Sequence, residues 1–245
     1  MRIQLCGSFR IEAEGRRLDE ALPGRQGRLL FAYLVLERAR PVSREELVDA
    51  LWPEQPPPRA ATLLTILLSK LRAAAAPARL DGRAELALIL PPGAVVDVEQ
   101  ALDAVHRAES AVAAGDWRRA WSPALTAMLV AERRLLGDCE APWLDEWRRR
   151  LDDVLVRALE CYTTACLGIS GAELAGAERA ARRLVARSPY RESGHRLLME
   201  ATAARGNTAE ALRVYEDLRR LLREELGVAP GAAVQEVHKR LLGAA

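Results

Sequence analysis

The segment Pro41-Val42-Ser43-Arg44-Glu45-Glu46-Leu47 constrains this chain more than any other stretch. Ser43 can cap a helix, Glu46 three residues on completes a capping box, and Val42 with Leu47 supplies a hydrophobic staple. Leu47, Val48 and Leu51 then face inward, and Trp52-Pro53 stops the helix after barely two turns. Upstream, from Arg25, the pattern is helical, with Leu29, Leu30, Tyr33, Leu34 and Leu36 on one face. Downstream, the proline-rich loop Pro53-Glu54-Gln55-Pro56-Pro57-Pro58 leads into a third helix from about Arg59 to Ala76. Its core stripe is Ala61, Leu64, Leu68 and Leu71, which leaves Thr62, Leu63, Ile66, Ser69, Lys70 and Ala73 outward.

Strand signals flank these helices. Ile3, Leu5, Phe9 and Ile11 fall at mostly alternating positions and Glu14-Gly15 supplies a turn, which predicts a small antiparallel sheet. Asp81-Gly82 marks a tight hairpin between Arg79-Leu80 and a strand from Glu85 to Leu90. Strands, three helices with a short middle one, and then a hairpin make a winged helix-turn-helix. Pro91-Pro92-Gly93 breaks the chain, and helical periodicity is expected from there onward, so a domain boundary is placed near residues 91 to 97.

The second part reads as paired helices. Gly115-Asp116-Trp117-Arg118-Arg119-Ala120 resembles Gly206-Asn207-Thr208-Ala209-Glu210-Ala211, and a looser copy runs from Glu173 to Ser188 with Pro189 closing it. Small alanines with glycine or proline turns suit tetratricopeptide-type helix hairpins. A helix from Pro142 to Leu167 carries Trp143, Leu144, Trp147, Leu151, Leu155, Leu159 and Tyr162 at helical spacing, a core stripe. The expected fold is therefore mainly α with a small β part. Residues 1–95 form a winged helix-turn-helix, and residues 96–245 form an all-α, tetratricopeptide-like helical domain.

Composition narrows the function classes. The chain has 36 Lys plus Arg against 34 Asp plus Glu, so it is no polybasic tail, and its 50% apolar content is too rich for disorder. The small excess lies in the first part, with 14 basic and 12 acidic residues from Met1 to Asp97. All but two of the cations, Lys70 and Lys239, are arginines, whose guanidinium fork suits bidentate contact with phosphate. Cys6, Cys139, Cys161 and Cys166 form no CxxC pair, which points to free thiols in a cytoplasmic protein. No apolar run reaches the length that spans a bilayer. His106, His195 and His238 lie on charged helices without partners at metal spacing and read as surface or boundary residues. No nucleophile motif, phosphate loop or acid/base pair stands out, so an enzyme is not expected, and neither a metal nor another cofactor is implied.

The run "RPVSREELVDALWPEQPPPRAATLLTILLSKLR", preceded by "GRQGRLLFAYLVLE", resembles the OmpR/PhoB-type winged helix of the Streptomyces antibiotic regulatory protein family. The tail "GNTAEALRVYEDLRRLLREELGVAPGAAVQEVHKRLL" resembles the bacterial transcriptional activator domain that follows it in those proteins. Larger relatives carry an ATPase segment, and with no GxxxxGK[ST] motif the short architecture is implied. The resemblance implies a cytoplasmic transcription activator that binds direct repeats in double-stranded DNA as a homodimer and contacts RNA polymerase, with no membrane partner. It places the third helix in the major groove, with Thr62, Leu63, Ile66 and Lys70 toward DNA. Arg59 and Arg72 at the helix ends, Arg83 at the hairpin tip, and Arg25 and Arg28 opening the first helix are the candidate phosphate contacts, Arg25 and Arg28 with surface placement as the alternative. The loop from Trp52 to Arg59 is where such winged helices meet polymerase, and a plain connector is the other reading of it. Leu63 and Leu67 stand where relatives commonly carry polar residues. That leaves a second hypothesis open, a protein-binding helical-repeat scaffold whose winged helix serves as a protein interface.

Overall fold

A computed structural model describes residues 1–243 of the chain. Two compact units are present, the first made of Met1–Gln100 together with Arg133–Leu151, the second of Ala101–Glu132 with Asp152–Ala245.

In the first unit, β1 (Arg2–Gln4), β2 (Arg10–Ala13) and β3 (Arg16–Arg17) form an antiparallel meander. The sheet is not purely antiparallel as expected, because β7 (Val95–Val96) joins β1 in parallel and gives the order β3-β2-β1-β7. Helical structure therefore does not follow Pro91-Pro92-Gly93 at once. A two-residue strand is too short to show a period, and only its distant partner makes it a strand. Asp97 seals this junction: its carboxylate accepts from the N–H groups of Leu5, Cys6 and Val98.

Helix α1 (Gly24–Leu36) is buried on every side from Leu29 to Val35, not on one face as predicted. Phe31, off the predicted stripe, meets Phe9 edge-on at 6.3 Å, and Tyr33, on it, meets Trp143 at 5.0 Å. A helix apolar all round is a central one.

After β4 (Val42–Ser43), α2 (Arg44–Leu51) starts as expected, with the Ser43 hydroxyl accepting from the Glu46 N–H at 3.1 Å. The Glu46 carboxylate also accepts from the Tyr33 hydroxyl at 2.6 Å and from Arg40, a charged donor. Arg40 holds the Glu46 carboxyl below the usual carboxylate range. Helix α3 (Ala60–Ala74) follows, then the hairpin of β5 (Arg79–Asp81) and β6 (Glu85–Ile89), with β4 completing the sheet order β4-β6-β5.

The segment Arg133–Leu151 belongs to this unit despite its place in the chain. The Gly7 N–H donates to the Arg134 carbonyl and the Leu136 N–H to the Leu5 carbonyl, at 2.9 and 3.0 Å. Arg148 folds the segment on itself by donating to the carbonyls of Leu135, Leu136 and Cys139. The Trp143 indole donates to the Ala50 carbonyl at 3.1 Å, at the end of α2.

The second unit is helical: α4 (Asp97–Ala113, from Ala101), α5 (Trp117–Ala131), α6 (Pro142–Ile169, from Asp152), α7 (Leu174–Arg187), α8 (Glu192–Ala204), α9 (Thr208–Leu226) and α10 (Ala232–Gly243). The two glycine motifs build the same turn. Asp116 N–H reaches Ala111 C=O as Asn207 N–H reaches Thr202 C=O, at 2.9 and 3.1 Å, and Gly115 and Gly206 both sit at positive φ. Ala120 and Ala211 are each fully buried, where only a small side chain lets the helices approach. Met199, Tyr215, Leu218, Leu222, Val234 and Val237 form the core shared by α8, α9 and α10.

His195 lies deeper than the surface or boundary placement expected of it. It is buried on α8, with Nε2 at 2.9 Å from the Pro189 carbonyl and Nδ1 without a partner among the described residues. The helix that carries it, α8, packs against both α7 and α9. His106 is exposed, and His238 stacks flat on Tyr215 at 3.8 Å. All four cysteines are free and buried.

Candidate nucleic-acid interface

The third helix presents two faces of different chemistry. Leu64, Leu68 and Leu71 are fully buried, and they fix the orientation of α3. Ala61, expected in the same stripe, is exposed. It lies at the edge of the arc in the first turn, on the flank where the Arg44 guanidinium donates to the Thr65 hydroxyl, which in turn donates to the Ala61 carbonyl. The opposite face is open: Thr62, Leu63, Ile66, Ser69, Lys70 and Ala73 are all exposed, and Leu67 is half-buried.

Arg59 is the exposed N-cap residue of α3, and its carbonyl accepts from the Leu63 N–H. Arg72 near the other end is directed to the hairpin. Its guanidinium donates to the Gly82 carbonyl at 2.9 Å and approaches the Leu80 carbonyl at 3.4 Å. Between β5 and β6 the turn Gly82-Arg83-Ala84 leaves Arg83 exposed. The turn needs glycine, since Gly82 has φ +90° and a Cβ there would lie 1.9 Å from the Glu85 carbonyl oxygen.

Arg25 and Arg28 lie in the first turns of α1. Arg28 pairs with Asp138 at 2.6 Å. Arg25 borders a cleft of about 490 Å³ lined also by Gln26, Trp52, Pro53, Glu140 and Asp145, beside the loop that joins α2 to α3.

Two cations were missed in the sequence. Arg44 occupies the first turn of α2, where a positive charge opposes the helix dipole, and that conflict was the available signal. Arg79 is exposed on β5, where Leu80 alone turns inward. The sequence carries a stronger signal: from Gln55 to Leu80 there is no acidic residue, while Arg59, Lys70, Arg72 and Arg79 all fall within. Among the described residues, none of the six basic side chains from Arg44 to Arg83 has a carboxylate partner; of the eight arginines before them, Arg10, Arg17, Arg28, Arg38 and Arg40 are ion-paired and Arg2, Arg16 and Arg25 are not. Unpaired cations keep their full charge for an external anion. Among the described residues no group of three or more His, Cys, Asp or Glu side chains could hold a metal ion, and no helix is long and apolar enough to cross a membrane.

Together these parts make a winged helix-turn-helix protein with an alanine-packed helical array. The family model described as Bacterial transcriptional activator domain matches residues 96–242. Regulatory protein AfsR of Streptomyces coelicolor is 34% identical over 246 residues, covering 100% of this chain and 24% of AfsR, so the chain spans about a quarter of that relative's length. Transcriptional regulator RedD of the same species is 27% identical, over 88% of this chain and 63% of RedD. A solved structure of Mycobacterium tuberculosis EmbR, in complex with a low affinity phosphopeptide, shares the fold with a TM-score of 0.83 at 23% identity, over 99% of this chain and 65% of that one. The chain belongs to the bacterial transcriptional activator domain family, and these relatives are regulators.

Proposed function

We propose that this chain is a sequence-specific DNA-binding transcription activator. In this reading α3 enters the major groove with Thr62, Leu63, Ile66 and Lys70 toward base edges. Arg59 and Arg44 hold the phosphates beside it, and the hairpin carries Arg83 to the adjacent minor groove. The DNA-contacting residues lie within residues 1–95. The helical remainder, residues 96–245, supports a homodimer on direct repeats and, with the Trp52 to Arg59 loop, contact with RNA polymerase. One observation carries the proposal: the acid-free stretch from Gln55 to Leu80 flanks an open helix face with cations that, among the described residues, have no carboxylate partner.

Few phosphate contacts imply modest monomer affinity, which is why pairing on DNA belongs to the reading. A mobility-shift titration against DNA upstream of the chain's own gene, repeated over a salt series, tests it. Each phosphate contact contributes about 0.9 to the slope of log affinity against log salt, so Lys70→Ala and Arg83→Ala should each lower the slope by roughly that amount. Absence of any shift at low salt would remove the proposal. Light scattering of the chain with and without DNA tests the dimer.

A further inference from the structure

Along α3, Arg59, Leu63, Ile66 and Lys70 follow one another at helical spacing and make a single stripe of cation, apolar, apolar, cation. At 1.5 Å per residue its ends lie roughly 17 Å apart. Leu63 is 40% and Ile66 47% exposed, and of the three large apolar side chains exposed in the first unit, these two share one face. Neither offers a hydrogen bond. Thr65 is spent on Arg44 and the Ala61 carbonyl, so Thr62, Ser69 and Lys70 are the remaining polar side chains on that face.

A duplex major groove has the complementary layout. Phosphates line both walls of a groove about 12 Å wide, and the one apolar group on its floor is the C5 methyl of thymine. An aliphatic side chain facing guanine, cytosine or adenine would strip water from a donor or acceptor without replacing it. Facing thymine it buries a methyl. A purely apolar protein surface would match the centre of the stripe and leave both terminal cations without counter-charge.

We infer that Leu63 and Ile66 read thymine methyl groups, so that the bound site carries thymine at the positions beneath them. The inference rests on the proposed function and specifies its substrate. Burying one methyl is worth about fourfold in affinity, the ratio equivalent to ~0.8 kcal/mol.

The test uses the full chain. A binding site is selected from randomised duplex DNA, each thymine in it is replaced singly by uracil, which lacks only the methyl, and affinity is read by fluorescence anisotropy at fixed salt. One or two replacements should weaken the native protein about fourfold each. Leu63→Ala should abolish sensitivity at one of them and Ile66→Ala at the other. Both side chains are exposed, so the variants keep the fold, and circular dichroism checks that. If the protein binds but no uracil replacement matters, or the losses persist unchanged in both variants, methyl reading is overturned and DNA binding stands. If the chain shows no salt-dependent binding to any duplex, the inference falls together with the reading beneath it.

Discussion

Arg72 shows why the role of a cation is set by what its guanidinium already touches. Its spacing from Arg59 suggests a phosphate contact, yet its donors are aimed at the carbonyls of Gly82 and Leu80. This ties the end of the third helix to the hairpin turn that carries Arg83. Arg72→Gln, which keeps an amide donor and removes the charge, is expected to leave the salt slope of DNA binding unchanged. Arg72→Ala, which frees the turn, should weaken binding by about 1 kcal/mol, the worth of the lost hydrogen bond. A slope that falls by about 0.9 in Arg72→Gln would make it a phosphate contact after all. His195 makes a different residue-scale prediction. Burial holds its pKa below the ordinary value, so the folded protein resists protonating it while the unfolded chain does not. Stability of the helical unit should therefore be full above about pH 6.5 and fall as the pH drops below it. Urea unfolding at pH 7.5 and pH 5.5 should show that loss in the native chain and a smaller one in His195→Gln.

At the scale of elements, what could be read from sequence was what is settled locally. The cap at Ser43, the stop at Trp52-Pro53 and the outward set on α3 depend on residues a few places apart, and the structure has all of them. The same holds for Gly115 and Gly206, whose turns share one hydrogen-bond pattern. Legibility failed where a distant partner decides. Val95-Val96 becomes a strand only beside Arg2 and Ile3, and Glu46 takes Tyr33 and Arg40, both outside its own helix, as further partners. The candidate interface was legible as a face and less so as a set of charges. Arg28 looks free in sequence because Asp138 lies 110 residues away. The local part carries its own test. Ser43→Ala removes the acceptor for the Glu46 N–H and should cost about 1 kcal/mol in denaturant unfolding. An unchanged midpoint would mean that the strand pairing of Val42 and Ser43 alone sets where α2 begins.

At the scale of the molecule, the first unit is not a contiguous stretch of chain. Its fold is completed by Arg133–Leu151, which brings the buried side chains of Leu135, Leu136 and Leu144 and the Trp143 contact with Tyr33 and Ala50. At about 1.5–3 kcal/mol for each buried leucine, a fragment ending at residue 95 forgoes roughly 5–9 kcal/mol. A whole domain is typically stable by only about 5–15 kcal/mol. That fragment contains every candidate DNA contact and is nonetheless expected to be unfolded or marginal, with no cooperative urea transition and no mobility shift at the concentrations at which the full chain binds. Trp143→Ala in the full chain is the graded version. It removes one aromatic pair and one hydrogen bond, worth together about 2 kcal/mol, and leaves every DNA-facing residue in place. The expected result is a lower unfolding midpoint with unchanged salt dependence of DNA binding. If the fragment of residues 1–95 instead unfolds cooperatively at the midpoint of the full chain, Arg133–Leu151 lies on the winged helix without supporting it.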